Sequence, residues 1–215
     1  MTQSRFGAIL WLLCLQYFIA EAVSALAWDG TYSYATNFIS DLGAVFCDAR
    51  AGVCSPWHVL MNASFVLQAI LILGGALLVR PLFPRGGLWL AGLALVGASG
   101  VGVLAVGLAP EDAAPGPHYL GALENFLFCN FGMALLGVAL LGAGPATRIV
   151  GAVCLAAGLV GLAGLALLGA KAYFGFGVGV VERATAYPFT FWLAGMGAWL
   201  LGGGGRRLGG VGAQR

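Results

Sequence analysis

Six stretches of the chain stay apolar for close to the length that a helix needs to cross a bilayer, with short polar segments between them. They run approximately over residues 6 to 28, 58 to 79, 87 to 108, 118 to 142, 149 to 170 and 185 to 202. A helix rises about 1.5 Å per residue, so roughly 20 residues cover the hydrocarbon core. Open strands are excluded at that depth, because their edges would leave peptide groups unpaired in lipid. The pattern predicts an all-α integral membrane protein, a six-transmembrane-helix bundle over residues 1–203 with a mobile tail over 204–215. The first stretch has a rival reading, since Arg5, an apolar run and Ala25-Leu26-Ala27 imitate a signal peptide and its cleavage site. The length of the run and the presence of Glu21 within it favour a membrane span.

Composition agrees with the pattern. Of 215 residues 60% are apolar and 8% charged, and the mean hydropathy is +0.95, whereas about a quarter of the residues in a soluble domain are charged. A net charge of +2 with dispersed cations excludes nucleic-acid binding as a class. Lys171 is the only lysine beside nine arginines, and with 36 glycines this usage suggests a GC-rich bacterial genome and hence a bacterial cytoplasmic membrane.

Orientation follows from the cations, because cytoplasmic loops are enriched in Lys and Arg. Arg5, Arg80, Arg85, Arg148, Arg206, Arg207 and Arg215 share one side, against Arg50, Lys171 and Arg183 on the other, which predicts that both termini are cytoplasmic. The acids, which took no part in that count, fall in the opposite loops or lean toward them: Glu21, Asp29, Asp41, Asp48, Glu111, Asp112, Glu124 and Glu182.

Gly158, Gly161 and Gly164 recur at a spacing that suits close helix contact in lipid. Gly175, Gly177 and Gly179 precede no Lys-Ser or Lys-Thr pair, so they read as a flexible outer loop and not as a phosphate cradle. Cys14, Cys129 and Cys154 lie singly in helices as small apolar packers. Cys47 and Cys54 share the first external loop and are expected to form a disulfide, which would stabilise it by roughly 2 to 3 kcal/mol.

Nearly all residues capable of chemistry belong to the external end. Tyr17, Glu21 and Ser24 share a helix face, and an acid in a membrane helix must turn toward the bundle or water. His58 and Asn62 share a face of the second span, and His118 and Asn125 one of the fourth. Asp41, Asp112, Glu182 and Arg183 approach from the loops. Glu21, Asp41, His58 and His118 are the candidates for acid and base work, with Asn62, Asp112, Asn125, Glu182 and Arg183 as substrate-binding candidates, and all of these but Arg183 are expected to converge on one cavity open to the external side. No metal site is assigned; His58, His118 and Asp41 are the donors that a divalent metal would use.

Several blocks carry a resemblance: Ile39-Ser40-Asp41-Leu42-Gly43, Asn62-Ala63-Ser64-Phe65, Pro110-Glu111-Asp112 with His118 and Phe126, and Glu182-Arg183 before Tyr187-Pro188. From the first helix to Trp192 the chain resembles the prokaryotic multi-pass membrane family labelled domain of unknown function 998. The Ile-Ser-Asp-x-Gly block is also similar to one in eukaryotic membrane proteins related to the damage-regulated autophagy modulator. The first resemblance implies a six-helix fold with Asp41, Asn62, Asp112, His118, Glu182 and Arg183 among its motif positions, and implies no activity. Gln68 and Cys129 stand where small residues are expected in many relatives.

These features point first to a site that binds or processes a lipid or lipid-linked substrate from the outer leaflet, with membrane lipids as partners. A small-solute transporter and a membrane interaction or sensory protein are the alternatives. Transport is disfavoured by inner helix halves made almost wholly of apolar residues and glycine.

Overall fold

A computed structural model describes residues 2–48 and 52–212. Arg50 and Arg215, both counted for orientation, lie outside the described residues. The chain forms α1 (Gln3–Leu13), α2 (Gln16–Leu26), α3 (His58–Val79), α4 (Gly87–Leu108), α5 (Pro115–Leu141), α6 (Arg148–Ala170), α7 (Val178–Trp199) and α8 (Gly205–Gly212). Local chemistry sets several ends. Pro115 opens α5, where its missing N–H costs nothing. Lys171 ends α6 at φ 52°, and its N–H and that of Ala172 close the last turn on Leu168 and Leu167. The segment expected to be a tail begins in a π-type turn over Leu200–Gly204, with Gly203 at φ 101°, and continues as α8.

The protein is an all-α, polytopic membrane protein. Gln3–Leu26, His58–Leu82, Gly87–Leu108, Pro115–Leu141 and Pro145–Ala170 are each long and apolar enough to cross a membrane. The stretch expected over 185–202 is helical as part of α7, but Glu182, Arg183, Thr185, Tyr187 and Thr190 dilute its apolarity, and it does not join those five.

Neighbours in sequence are neighbours in space, and α7 returns to pack on α1, closing a ring. Trp11, Met61, Ile72, Met133, Leu136, Leu140 and Leu193 are fully buried within it. The glycines of α6 do what their spacing predicted. A Cβ at Gly158 would come within 2.6 Å of the Asn130 carbonyl oxygen on α5, and one at Gly164 within 3.1 Å of the Thr185 nitrogen on α7. Dispersion between closely approaching backbones holds such contacts in lipid.

The bundle has two chemically different ends. α7 runs between them: Arg183, in its second turn, meets Glu21 of α2, while Gly197 packs against the backbone of Ala8 and Leu12 in α1. The acid-rich end carries the stretches 27–48 and 52–57, the 109–114 turn and the 171–177 turn. The arginine-rich end carries the start of α1, the 80–86 and 142–147 connections and α8.

Candidate functional site

The first long loop is fastened to the bundle by one arginine. Arg183 Nε donates to Glu21 Oε1 at 3.1 Å and Nη2 lies 3.0 Å from the same oxygen. Nη1 donates to the carbonyls of Tyr34, Asn37 and Gly179, each at 3.0 Å, and Nη2 to the Tyr32 hydroxyl. The rings of Tyr34 and Tyr32 lie 4.8 and 5.6 Å from the guanidinium carbon, within cation–π range. Burial pushes both of these loop tyrosines above their ordinary pKa. Tyr187, one helical turn after Arg183, donates to both Glu21 oxygens at 2.7 Å. Glu21 is 2% exposed, so it does turn inward, and its partners offset the cost of a buried acid.

The rest of the loop is held in the same manner. Glu182 Oε2 accepts the Ile39 N–H, and Asp41 accepts from the Phe38 N–H at 2.8 Å and the Asn37 amide at 3.1 Å. Asn62 donates to the Gly43 carbonyl at 2.9 Å, and a Cβ on Gly43 would collide with the Asn62 side chain. Asp112 accepts the Phe46 N–H at 2.6 Å, and Ser40 donates to Glu111. Cys47 and Cys54 form the expected disulfide. Gly177 and Gly179, expected in a flexible loop, are docked: the Gly179 N–H donates to Ala35 O at 2.9 Å, and Gly177 turns at φ 91° where a Cβ would meet that same oxygen.

Inside the ring lies a cavity of about 60 Å³. Its polar wall is made by Ser40, His118, Asn125 and Glu182, and its deeper wall by apolar residues such as Phe65, Ile72, Val106 and Phe189. His118 Nδ1 lies 2.8 Å from the Ala109 carbonyl, which can only accept, so a neutral ring bonded there carries its proton on Nδ1. Asn125 donates to the Ser99 carbonyl at 3.0 Å, which sets its amide. Gln68 and Thr190 border the deep end, and Gln68 continues through Gln16 to Ser64, tying α2, α3 and α7 together.

A larger groove of about 430 Å³ adjoins this cavity and shares Ser40, His118, Ala122, Phe126 and Glu182 with it. Its outer walls come from Tyr119 on α5, Leu168 and Lys171 at the end of α6, Tyr173 and Glu111. Burial, and then the neighbouring Asp41, push the Glu111 carboxyl up to about 8.

The candidate residues divide between this cavity and its surroundings. His118, Asn125 and Glu182 do line it; Glu21, Asp41, His58, Asn62, Asp112 and Arg183 do not. Those six hold the loop and the helix ends. His58 Nδ1 is bound to the Ser55 carbonyl at 2.9 Å, and every nitrogen of Arg183 has a partner within the protein. Among the described residues no three His, Cys, Asp or Glu side chains gather as metal ligands, so His58, His118 and Asp41 do not make a common donor set. Sequence reasoning missed Tyr187 as the partner of Glu21, and Gln16 and Thr190 altogether. A polar residue in an otherwise apolar span was the available signal.

Comparison with known families covers most of this architecture. Residues 12–199 match the family described as Protein of unknown function (DUF998). The chain belongs to that family. No curated protein and no solved structure matches it. In DUF998 terms, the matched region takes in the Arg183–Glu21 clasp, the disulfide loop and the whole cavity, and ends at Trp199, before α8.

Proposed function

We propose that this DUF998 protein is a six-span protein of a bacterial cytoplasmic membrane, with both termini inside, and that its external end binds or processes a lipid or lipid-linked molecule from the outer leaflet. Three features support the topology: the full height of α7, the seven arginines assigned to one side, and the acids gathered at the other. A reporter fused after Arg215 is expected to behave as cytoplasmic, and export of that reporter would overturn the parity.

The observation that carries the lipid reading is the continuity of groove and cavity. A molecule passing between α5 and the end of α6 meets Lys171, Glu111 and Ser40 first, then His118 and Glu182, then an apolar floor. That order of surfaces matches an amphiphile that enters sideways with its polar group at the membrane surface. Exposed aromatic residues at this end, among them Trp57, Tyr119, Phe174 and Phe176, suit the level of the headgroups. In this reading His118 is the base or acceptor that faces the bound molecule, with Glu182 and Asn125 orienting it. Beneath the cavity the core of Trp11, Met133, Leu136, Leu140 and Leu193 is fully buried, which disfavours a conduction path.

The test is the lipid that the purified protein retains, identified by native mass spectrometry. Ala122→Trp, which fills the shared wall, is expected to abolish retention, and His118→Ala to weaken it. Unchanged retention in both variants would sink the proposal and leave an interaction protein as the better reading.

A further inference from the structure

The arginine-rich end holds a second depression, of about 250 Å³, outside everything described above. The start of α1, the turn after α3 and the π-type turn that leads into α8 enclose it. Arg5 and Arg206 line it together with the hydroxyl-bearing Thr2 and Ser4, and Ala8, Leu82 and Leu200 make its apolar side.

Two further facts bear on what it takes. Both arginines are exposed, and neither has a carboxylate partner among the described residues, where the one ion pair is Arg183 with Glu21 at the far end. The pocket also receives the first turn of α1, where the N–H groups of Gln3 and Ser4 have no intrahelical partner, that of Arg5 closes on the Thr2 carbonyl, and Thr2 supplies no side-chain cap. Cations, hydroxyls and free amides on one side and an aliphatic wall on the other describe a receptor for an anion attached to a hydrocarbon.

We propose that this pocket binds the phosphodiester headgroup of an anionic phospholipid, with Arg5 and Arg206 on the phosphate and the acyl chains along Leu82 and Leu200. That the lipid comes from the cytoplasmic leaflet rests on the topology proposed above; binding itself does not. Anionic lipid is concentrated at that surface, and basic pockets between spans recognise its headgroups. A free phosphate would satisfy the arginines but leave the aliphatic wall unused.

The experiment titrates the full-length protein in detergent with phosphatidylglycerol or phosphatidylcholine and reads affinity from bound lipid in native mass spectra. Both leaflets are absent there, so an error in the topology leaves the result untouched. Phosphatidylglycerol is expected to bind in preference to phosphatidylcholine. Each arginine removed should weaken it about 5-fold, and R5Q/R206Q about 30-fold. Arg85→Gln, at the same end but outside the pocket, should bind as the unmodified protein does, and R5K/R206K should recover most of the affinity. Arg206 follows the last long helix, so R206Q alone serves if the double variant does not fold. Equal loss in R85Q and R206Q would show a diffuse charge effect and overturn the proposal, as would equal binding of the two lipids. Competition by inorganic phosphate at matched ionic strength would overturn the lipid in favour of a soluble anion.

Discussion

The two ends of the bundle handle charge in opposite ways. At the acid-rich end Glu21, Asp41, Glu182 and Arg183 are buried and bound to the protein itself, and the loop above them is fixed as a result. At the other end Arg5, Arg85, Arg148, Arg206 and Arg207 are exposed to whatever surrounds them. A buried charge must be matched, because desolvation costs several kcal/mol; an exposed one contributes little to stability and stays available for a ligand. The first end is therefore built by its charges, and the second is only decorated with them.

Substitution should expose that difference most strongly at the clasp. Arg183→Ala leaves Glu21 buried without its cation and frees the carbonyls of Tyr34, Asn37 and Gly179, so a loss of about 3 to 5 kcal/mol is expected, read as a lowered unfolding midpoint in detergent. Arg5→Ala, measured in the same way, should stay within about 0.5 kcal/mol of the unmodified protein. A similar effect of the two would erase the contrast between the ends.

The next effect belongs to the loop alone. Replacing Cys47 and Cys54 by serine removes a closed loop of few residues, and a loss of roughly 2 to 3 kcal/mol is expected. Tyr187→Phe removes the hydroxyl that serves both Glu21 oxygens but keeps the guanidinium, so it should cost less than the loss of Arg183, about 1.5 to 3 kcal/mol for a bond to a charged group. If Tyr187→Phe proved as damaging as Arg183→Ala, the tyrosine and not the arginine would be the centre of the clasp.

How much of this could be read from the chain depends on the range over which each feature is determined. The spans were legible because apolar length is a local property, and α7 was the hardest because its clasp residues lower its hydropathy. Glu21 could be assigned to the interior by cost alone, and Cys47 and Cys54 paired because they share a loop. The partner of Glu21 could not be found, since Arg183 is 162 residues away and nothing local marks the pair. The surroundings of His58 were hidden for a related reason. Its helical face matched that of Asn62, but the Ser55 carbonyl three residues earlier takes the ring nitrogen, so the side chain finishes a turn and does not line the cavity. His118 lies on the cavity because α4 ends beside it and offers the Ala109 carbonyl to its other nitrogen. Which of two similar histidines faces a site is thus decided by the nearest free carbonyl, and spacing along one helix does not report that.

The smallest expected effect concerns pH, and it should also be confined to the acid-rich end. Glu111 sits in the turn before α5, where Ser40 donates to it and Asp41 and Glu182 are its acidic neighbours, with His118, Tyr119 and Lys171 on the walls of the same groove. Burial first, and then Asp41, raise its carboxyl from the ordinary 4.5 to about 8. A carboxyl raised on folding binds its proton more tightly in the folded protein than in the unfolded chain, so ionising it works against the fold. Below about 4.5 the group is protonated in both states and contributes no slope. Between there and about 8 the folded protein holds the extra proton, so stability falls as pH rises, and the slope ends once both states are ionised. Unfolding midpoints measured from pH 5 to 9 should therefore decline more steeply for the unmodified protein than for Glu111→Gln, which cannot ionise. Substitution of Arg206 at the other end should leave the slope unchanged. Parallel profiles for the unmodified protein and Glu111→Gln would mean that Glu111 is already ionised in the fold, and Ser40 would then be donating to a carboxylate that faces Asp41 with both charges in place.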